Sequence, residues 1–424
     1  MTTTATSNQT PVWKRPAVLR LLLIAFFAEL GVAVLNILAM PAFLERERGH
    51  GAGLVGAVFV AFLISENLFK PFFGHLTDKF GRRLFLILGP GILTITPLLT
   101  LLVPHGSGYW EGTAFIALRV VDGIAAAMLW PAAYAAVGES VDGHERSQAM
   151  GLLNLCFMMG LALGAPVGGA LNGITGNFHS AFVLASGVFL TATLYALFFA
   201  PGKSAKEVSS SHDSEMHLKD LVVCLKKVPG VLILGFFAFL AVGFPAAIVQ
   251  LFALNQYGLS QTQFGLVVLV AATIMAVFSV PLGKAGERIG RTRAVRLGLF
   301  LCMIGAWIIG AGFWYESMRT VILLAAGAAL IGLGFLLAIP SWYANVSHID
   351  EKRSGSYLAA VMTAQGIGAI IGAGAGSKFY EIEPHLPFIA CAIALTVAVL
   401  LSLLNLDKRQ GLENQNDCPS LNAE

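Results

Sequence analysis

Long apolar runs, each closed by a short polar knot, follow one another along all 424 residues. A bilayer span takes about 20 mostly apolar residues. Runs of that length predict twelve transmembrane helices, at 18–44, 52–74, 83–104, 112–138, 148–172, 180–200, 229–254, 261–283, 295–315, 320–346, 356–378 and 385–406. Lys14, Arg15 and Arg20 lead into a first run longer than the apolar region of a cleavable signal, so the first helix is expected to stay in the protein.

The pattern also repeats at an offset of 209 residues. "GHLTDKFGR" returns as "GKAGERIGR", which pairs Gly74 with Gly283, Asp78 with Glu287, Gly81 with Gly290 and Arg82 with Arg291. "PAAYAAV" at Pro131 returns as "PSWYANV" at Pro340, and Gly49 and Gly56 match Gly258 and Gly265. Close to the same register, "GLALGAPVG" returns as "GAIIGAGAG", a comb of glycines four apart in each half. The expected organisation is an all-α membrane protein of two parallel six-helix repeats. These are an N-terminal bundle over 1–200, a polar cytoplasmic linker over 201–228, a C-terminal bundle over 229–406 and a cytoplasmic tail over 407–424.

Composition agrees: 56% of the residues are hydrophobic and 12% charged, against roughly 25% charged in a soluble domain. The charge distribution adds orientation. Twenty-two of the 27 Lys and Arg fall in the N-terminal segment, the breaks after even-numbered spans and the tail, counted with the span ends beside them; the opposite breaks hold Arg46, Arg48, Arg319 and Lys378, and Arg119 lies within a span. The positive-inside rule then puts both termini in the cytoplasm, and the net charge of +3 reports topology, not nucleic-acid binding. The five cysteines have neither disulfide nor metal-ligand spacing, and His75, His144 and His348 read as loop histidines without partners at metal spacing. No GxxxxGK[ST] phosphate loop is present, which argues against transport driven by the chain's own ATP hydrolysis; neither an enzyme nor a cofactor is expected.

The repeated motif carries a resemblance. "GHLTDKFGRR" between helices 2 and 3, with its weaker echo between helices 8 and 9, resembles the signature of major facilitator superfamily transporters along nearly the whole chain. Helix 5 resembles the signature of the 12-helix drug/proton antiporter group: Gly151, Gly160, Gly164, then "APVGG" with Pro166, Gly168 and Gly169, Ala165 standing before the proline. The resemblance implies a secondary active transporter in the cell (inner) membrane, monomeric, using protons to drive efflux of small lipophilic compounds by alternating access. It also implies that Gly74, Asp78, Gly81, Arg82 and Arg83 belong to a gate between the halves. Arg82 or Arg83 is expected to meet Asp142 or Glu145 of the next cytoplasmic loop. The six helix-5 residues are expected to serve close helix packing.

Ionisable residues inside spans give the candidate site, because charge in hydrocarbon requires a partner or a cavity. Glu29 in helix 1 and Arg119 and Asp122 in helix 4 lie deep in the sequence of their spans. At 100° per residue Arg119, Asp122, Ala126, Trp130 and Tyr134 share one stripe, as do Glu29, Ala33, Asn36 and Met40. "RVVDG" resembles the helix-4 motif of the same family, with Asp122 where glutamine is usual. Glu29 and Asp122 are read as neighbours, with Glu29 facing Arg119, and as the proton-coupling pair. Asp122 also reads as a neutraliser of Arg119 at i, i+3. Glu66 and Lys70 read as a local ion pair at i, i+4.

At the 209 offset these deep charges become Ala238, Ala328 and Ile331. The C-terminal half offers Gln250, Phe335 and Gln365, with Phe237, Phe244, Phe252 and Trp342, a lining suited to hydrophobic cargo. Two other readings stay open: a carrier of one metabolite (a sugar, organic anion or lysolipid) held through Arg119, and a non-transporting membrane sensor.

Overall fold

The computed structural model describes residues 11–106, 108–142, 145–200, 229–347 and 354–416. The expected linker, Cys224, Cys418, His144 and His348 lie outside them. Among the described residues, twelve helices are long and apolar enough to cross a membrane. They are α1 (Pro16–Glu47), α2 (Ala52–Phe80), α3 (Arg82–Leu102), α4 (Tyr109–Glu139), α5 (Arg146–Thr175) and α6 (His179–Phe199) in the first half. In the second half, α7 (Pro229–Ala246, resuming at Val249–Gln256) precedes α8 (Gln261–Ile289), α9 (Arg291–Gly310), α10 (Val321–Ser347), α11 (Ser354–Ile382) and α12 (Leu386–Asn416). The last helix runs well past 406, through much of the segment expected as a tail.

Two compact units result. One comprises Met1–Gly49, Ala57–Ser210 and Ser260–Gly265; the other His50–Gly56, Ser211–Leu259 and Leu266–Glu424. Each has its own apolar core, around Leu86, Ala126 and Trp130 in the first and Leu299, Trp342 and Leu395 in the second. In the first unit α1 packs on α5 and α6, and α3 on α4 and α6. In the second α7 packs on α11 and α12, and α9 on α10 and α12, the same scheme six helices later.

The backbone carries the 209-residue repeat as well. The bounds of α2 recur as those of α8 at that offset. Gly81 and Gly290, at φ of 93° and 90°, make the sharp turns into α3 and α9, where a side chain would be strained. Gly49 and Gly258, at 70° and 63°, form a second matched pair. Even a packing contact repeats: Gly89 meets Leu129, and Gly298 meets Ala338.

The glycine combs seat one helix of each unit against the unit's first helix. A side chain at Gly160 would strike the Cβ of Glu29 and the backbone of Phe26 at 2.9 Å; Gly164 faces Ala33 and Gly168 faces Leu38. On α11, Gly368, Gly372 and Gly376 press on Phe236, Leu240 and Phe244 of α7. Pro166 and Gly169 lie against the Ser260–Gly265 segment of the same unit. Gly151 departs from the expectation: it is exposed, and a Cβ there would meet nothing within 4 Å, because it lies on the outward side of α5 while Ala149 and Leu153 on either side of it turn into the core. Gly164→Leu is therefore expected to cost about 1–3 kcal/mol through overpacking. Gly151→Ala is expected to stay within about 0.5 kcal/mol of wild type. Thermal unfolding of the purified protein in detergent measures both.

Candidate functional site

Two helices depart from regular α geometry. In α1 the bonding widens to the i→i+5 pattern over Val34–Ala39 and again over Phe43–Glu47, on either side of Pro41, which has no N–H to donate. The second wide turn ends where the Arg48 N–H reaches the Phe43 carbonyl at 3.0 Å. In α7 the helix breaks after Pro245.

The first wide turn presents Asn36 to α4. Arg119, wholly buried, donates from Nη1 to Asn36 Oδ1 at 3.3 Å and pairs through Nη2 with Asp122, one turn along its own helix. Thr96 of α3 lies beside the Asp122 carboxylate. The Nε of Arg119 has no hydrogen-bond partner among the described residues. Arg119 and Asp122 thus satisfy each other's charge, and Asn36 joins them to α1.

Glu29 lies elsewhere. It is 3% exposed, beneath the Gly160 contact, and no hydrogen bond or salt bridge holds its carboxylate among the described residues. The charged groups that act on it are Glu66 and Lys70 of α2, themselves paired at 2.8 Å, and it acts in turn on Tyr134 of α4. The expected Glu29–Arg119 and Glu29–Asp122 juxtapositions are not formed. The physical reason is separation along α1: Asn36, which meets Arg119, is seven residues from Glu29, roughly 10 Å of helix rise. Trp130 sits in the unit's core against Phe157, with ring centroids 5.0 Å apart, and Tyr134 is 42% exposed.

In the second unit Tyr343 donates its hydroxyl to Gln365 Oε1 at 3.0 Å. Gln365 Nε2, Trp342 Nε1 and both amide atoms of Gln250 are buried without hydrogen-bond partners among the described residues. Phe335 meets Phe239 edge to face at 6.2 Å. Phe252, expected as a lining residue, is fully buried instead: it packs on Phe388 at 4.1 Å and His385 at 5.1 Å. Phe244 stacks on Phe379.

At the end of the first unit where α1 begins, Arg82 bridges Asp78 (2.5 Å) and Glu139 (2.6 Å). Gly74 lies near Pro131 of α4. Arg83 donates to the Leu197 carbonyl at 2.7 Å. The expected pairing of these arginines with Asp142 or Glu145 is replaced. Glu145 is gripped by both Nη atoms of Arg15 at 2.7 Å, and Asp142 is exposed. Glu139, the last residue of α4, reaches Arg82 first.

A buried pair at the other end of the unit carries no signal in the span pattern. Arg48 meets Glu111 at 3.1 Å and lies over the rings of Phe43 and Phe115. Both residues stand next to predicted span ends, where charge reads as solvated.

These features define a two-repeat membrane carrier, and comparison with known proteins agrees. The Major Facilitator Superfamily profile matches residues 21–244 and 231–417, and the chain belongs to that family. It is a multi-pass integral membrane transporter of small molecules, not an enzyme. Multidrug resistance protein 2 of Bacillus subtilis (strain 168) is 26% identical over 406 residues, covering 94% of this chain and 95% of that protein. The multi-drug resistance efflux pump PmrA of Streptococcus pneumoniae is 26% identical over 389 residues, 86% of this chain and 90% of PmrA. Among solved structures, the nucleoside transporter NupG superposes with a TM-score of 0.73 at 13% identity, covering 92% of this chain and 98% of NupG.

Proposed function

We propose that this transporter exports small lipophilic compounds in exchange for protons, with Glu29 as the proton-carrying group. The observation behind it is the environment of Glu29: a carboxyl nearly sealed in the membrane-spanning part of the first unit, without an ion-pair partner, beside Glu66, Lys70 and Tyr134. An acid so placed must carry a proton or bear the cost of an uncompensated buried charge. Asp122 takes the other of its two readings, neutraliser of Arg119. Similarity to multidrug efflux proteins over most of the chain supports the cargo class, as do the aromatic residues of the second unit. The Asp78–Arg82–Glu139 set, at the end we assign to the cytoplasm, is the gating element in this reading.

Purified protein in proteoliposomes tests the proposal against a panel of cationic, neutral and anionic compounds. Movement of lipophilic members is expected to follow an imposed pH gradient and to stop when an ionophore collapses it. Movement that ignores the gradient overturns the coupling.

A further inference from the structure

Among the buried hydrogen-bond donors that the packing of the second unit leaves unused, two stand together, on Trp342 and Gln365. Trp342 and Gln365 are 4% and 3% exposed. Indole can only donate, and its Nε1 has no acceptor among the described residues. Gln365 has its carbonyl taken by the Tyr343 hydroxyl, which turns the amide so that its NH2 is the free end. The two side chains come from different helices, α10 and α11, and converge over α7 at Gly235. A Cβ there would lie 3.3 Å from Trp342 Cζ2 and 3.4 Å from Gln365 Cγ. Any larger residue at 235 would push the pair apart.

A buried donor without an acceptor costs about 1–3 kcal/mol, so a purely structural pair would be expected to find acceptors in the surrounding helices. None is supplied. The first unit clarifies the contrast. Tyr134 and Tyr343 are equivalent at the 209 offset, yet Tyr134 neighbours an acid, Glu29, whereas Tyr343 fixes an amide. The repeats have kept the tyrosine and divided the chemistry beside it.

We propose that Trp342 and Gln365 form a donor pair for cargo, taking a carbonyl, ester or ether oxygen of a lipophilic molecule. This assignment rests on the export reading above and narrows its substrate class to compounds that carry a hydrogen-bond acceptor. The pair would repay its own desolvation only when such an oxygen arrives, which gives selectivity beyond apolar fit.

The test uses two lipophilic cations in proteoliposomes under a pH gradient: tetramethylrhodamine ethyl ester, which has an ester carbonyl, and tetraphenylphosphonium, which has no acceptor. Trp342→Phe removes the N–H and keeps an aromatic ring; Gln365→Leu removes the amide. Each variant is expected to raise the KM for the ester about tenfold, in line with an unpaired buried polar group, while tetraphenylphosphonium stays within about twofold. Equal effects on both cations, or none on either, overturn the donor pair. Should Gln365→Leu fail to fold, Trp342→Phe alone decides. Wild-type protein that moves tetraphenylphosphonium but shows no preference lost in the variants sinks this inference and leaves the export reading standing. Wild-type protein that moves neither cation overturns both.

Discussion

Glu29→Gln is expected to abolish gradient-driven extrusion while the protein still folds and still exchanges cargo across the membrane without a gradient. Glutamine keeps the shape and removes the titrating proton. The drop in driven flux should be on the order of 10²-fold, the low end of what removing an obligatory proton-transfer group costs. Folding should survive because the space under Gly160 is filled equally well and no ion pair is broken. Lys70 keeps its partner, Glu66, at 2.8 Å. A variant that extrudes at the wild-type rate removes Glu29 from the coupling mechanism.

The second large effect concerns Arg119 and Asp122, where the damage should be structural. Asp122→Asn leaves a guanidinium at 0% exposure with only a 3.3 Å bond to Asn36 to offset its charge. Breaking one side of such a buried pair costs about 3–5 kcal/mol. The double substitution Arg119→Met with Asp122→Leu is expected to recover most of that loss, since an apolar replacement of similar volume carries no desolvation penalty. Thermal unfolding of the single and double variants in detergent separates the terms. A stable Asp122→Asn protein with impaired transport would instead make the aspartate a working part of the cycle.

These two sites show what the sequence could and could not reveal. Twelve spans were legible because membrane helices satisfy their own backbone, so apolar length alone marks them. The repeat was legible down to its turns, because Gly81 and Gly290 are demanded by backbone conformation and not by fashion of the surface. Burial of Glu29, Arg119 and Asp122 was also readable from their depth in the spans. Their partners were not. Helical stripes place residues on a face, but the choice of neighbour depends on axial offsets between helices. Along α1, Asn36 in the first wide turn reaches Arg119, while Glu29, two turns earlier, stays with α2 and α4.

The same limit applies at the helix ends. Arg82 was recognised from its motif, yet its partner, Glu139, lies at the end of a helix whose length by itself could not fix which acid came within reach. Arg15 and Glu145 are 130 residues apart and meet only through the packing of α1 on α5. Gly151 belongs to the motif by spacing, but a side chain there would meet no neighbour. Sequence periodicity thus located the pieces, and tertiary packing decided which of them touch.

The exchange of protons for cargo is tested most directly by watching both at once. A pH-sensitive dye is trapped in proteoliposomes with no imposed gradient, and a lipophilic cation such as tetraphenylphosphonium is added outside. Cargo movement with wild-type protein is expected to drive protons the opposite way, and with Glu29→Gln the cation is expected still to exchange while the internal pH stays flat. Cargo movement without a pH change in the wild type, or an undiminished pH change in the variant, contradicts exchange through Glu29.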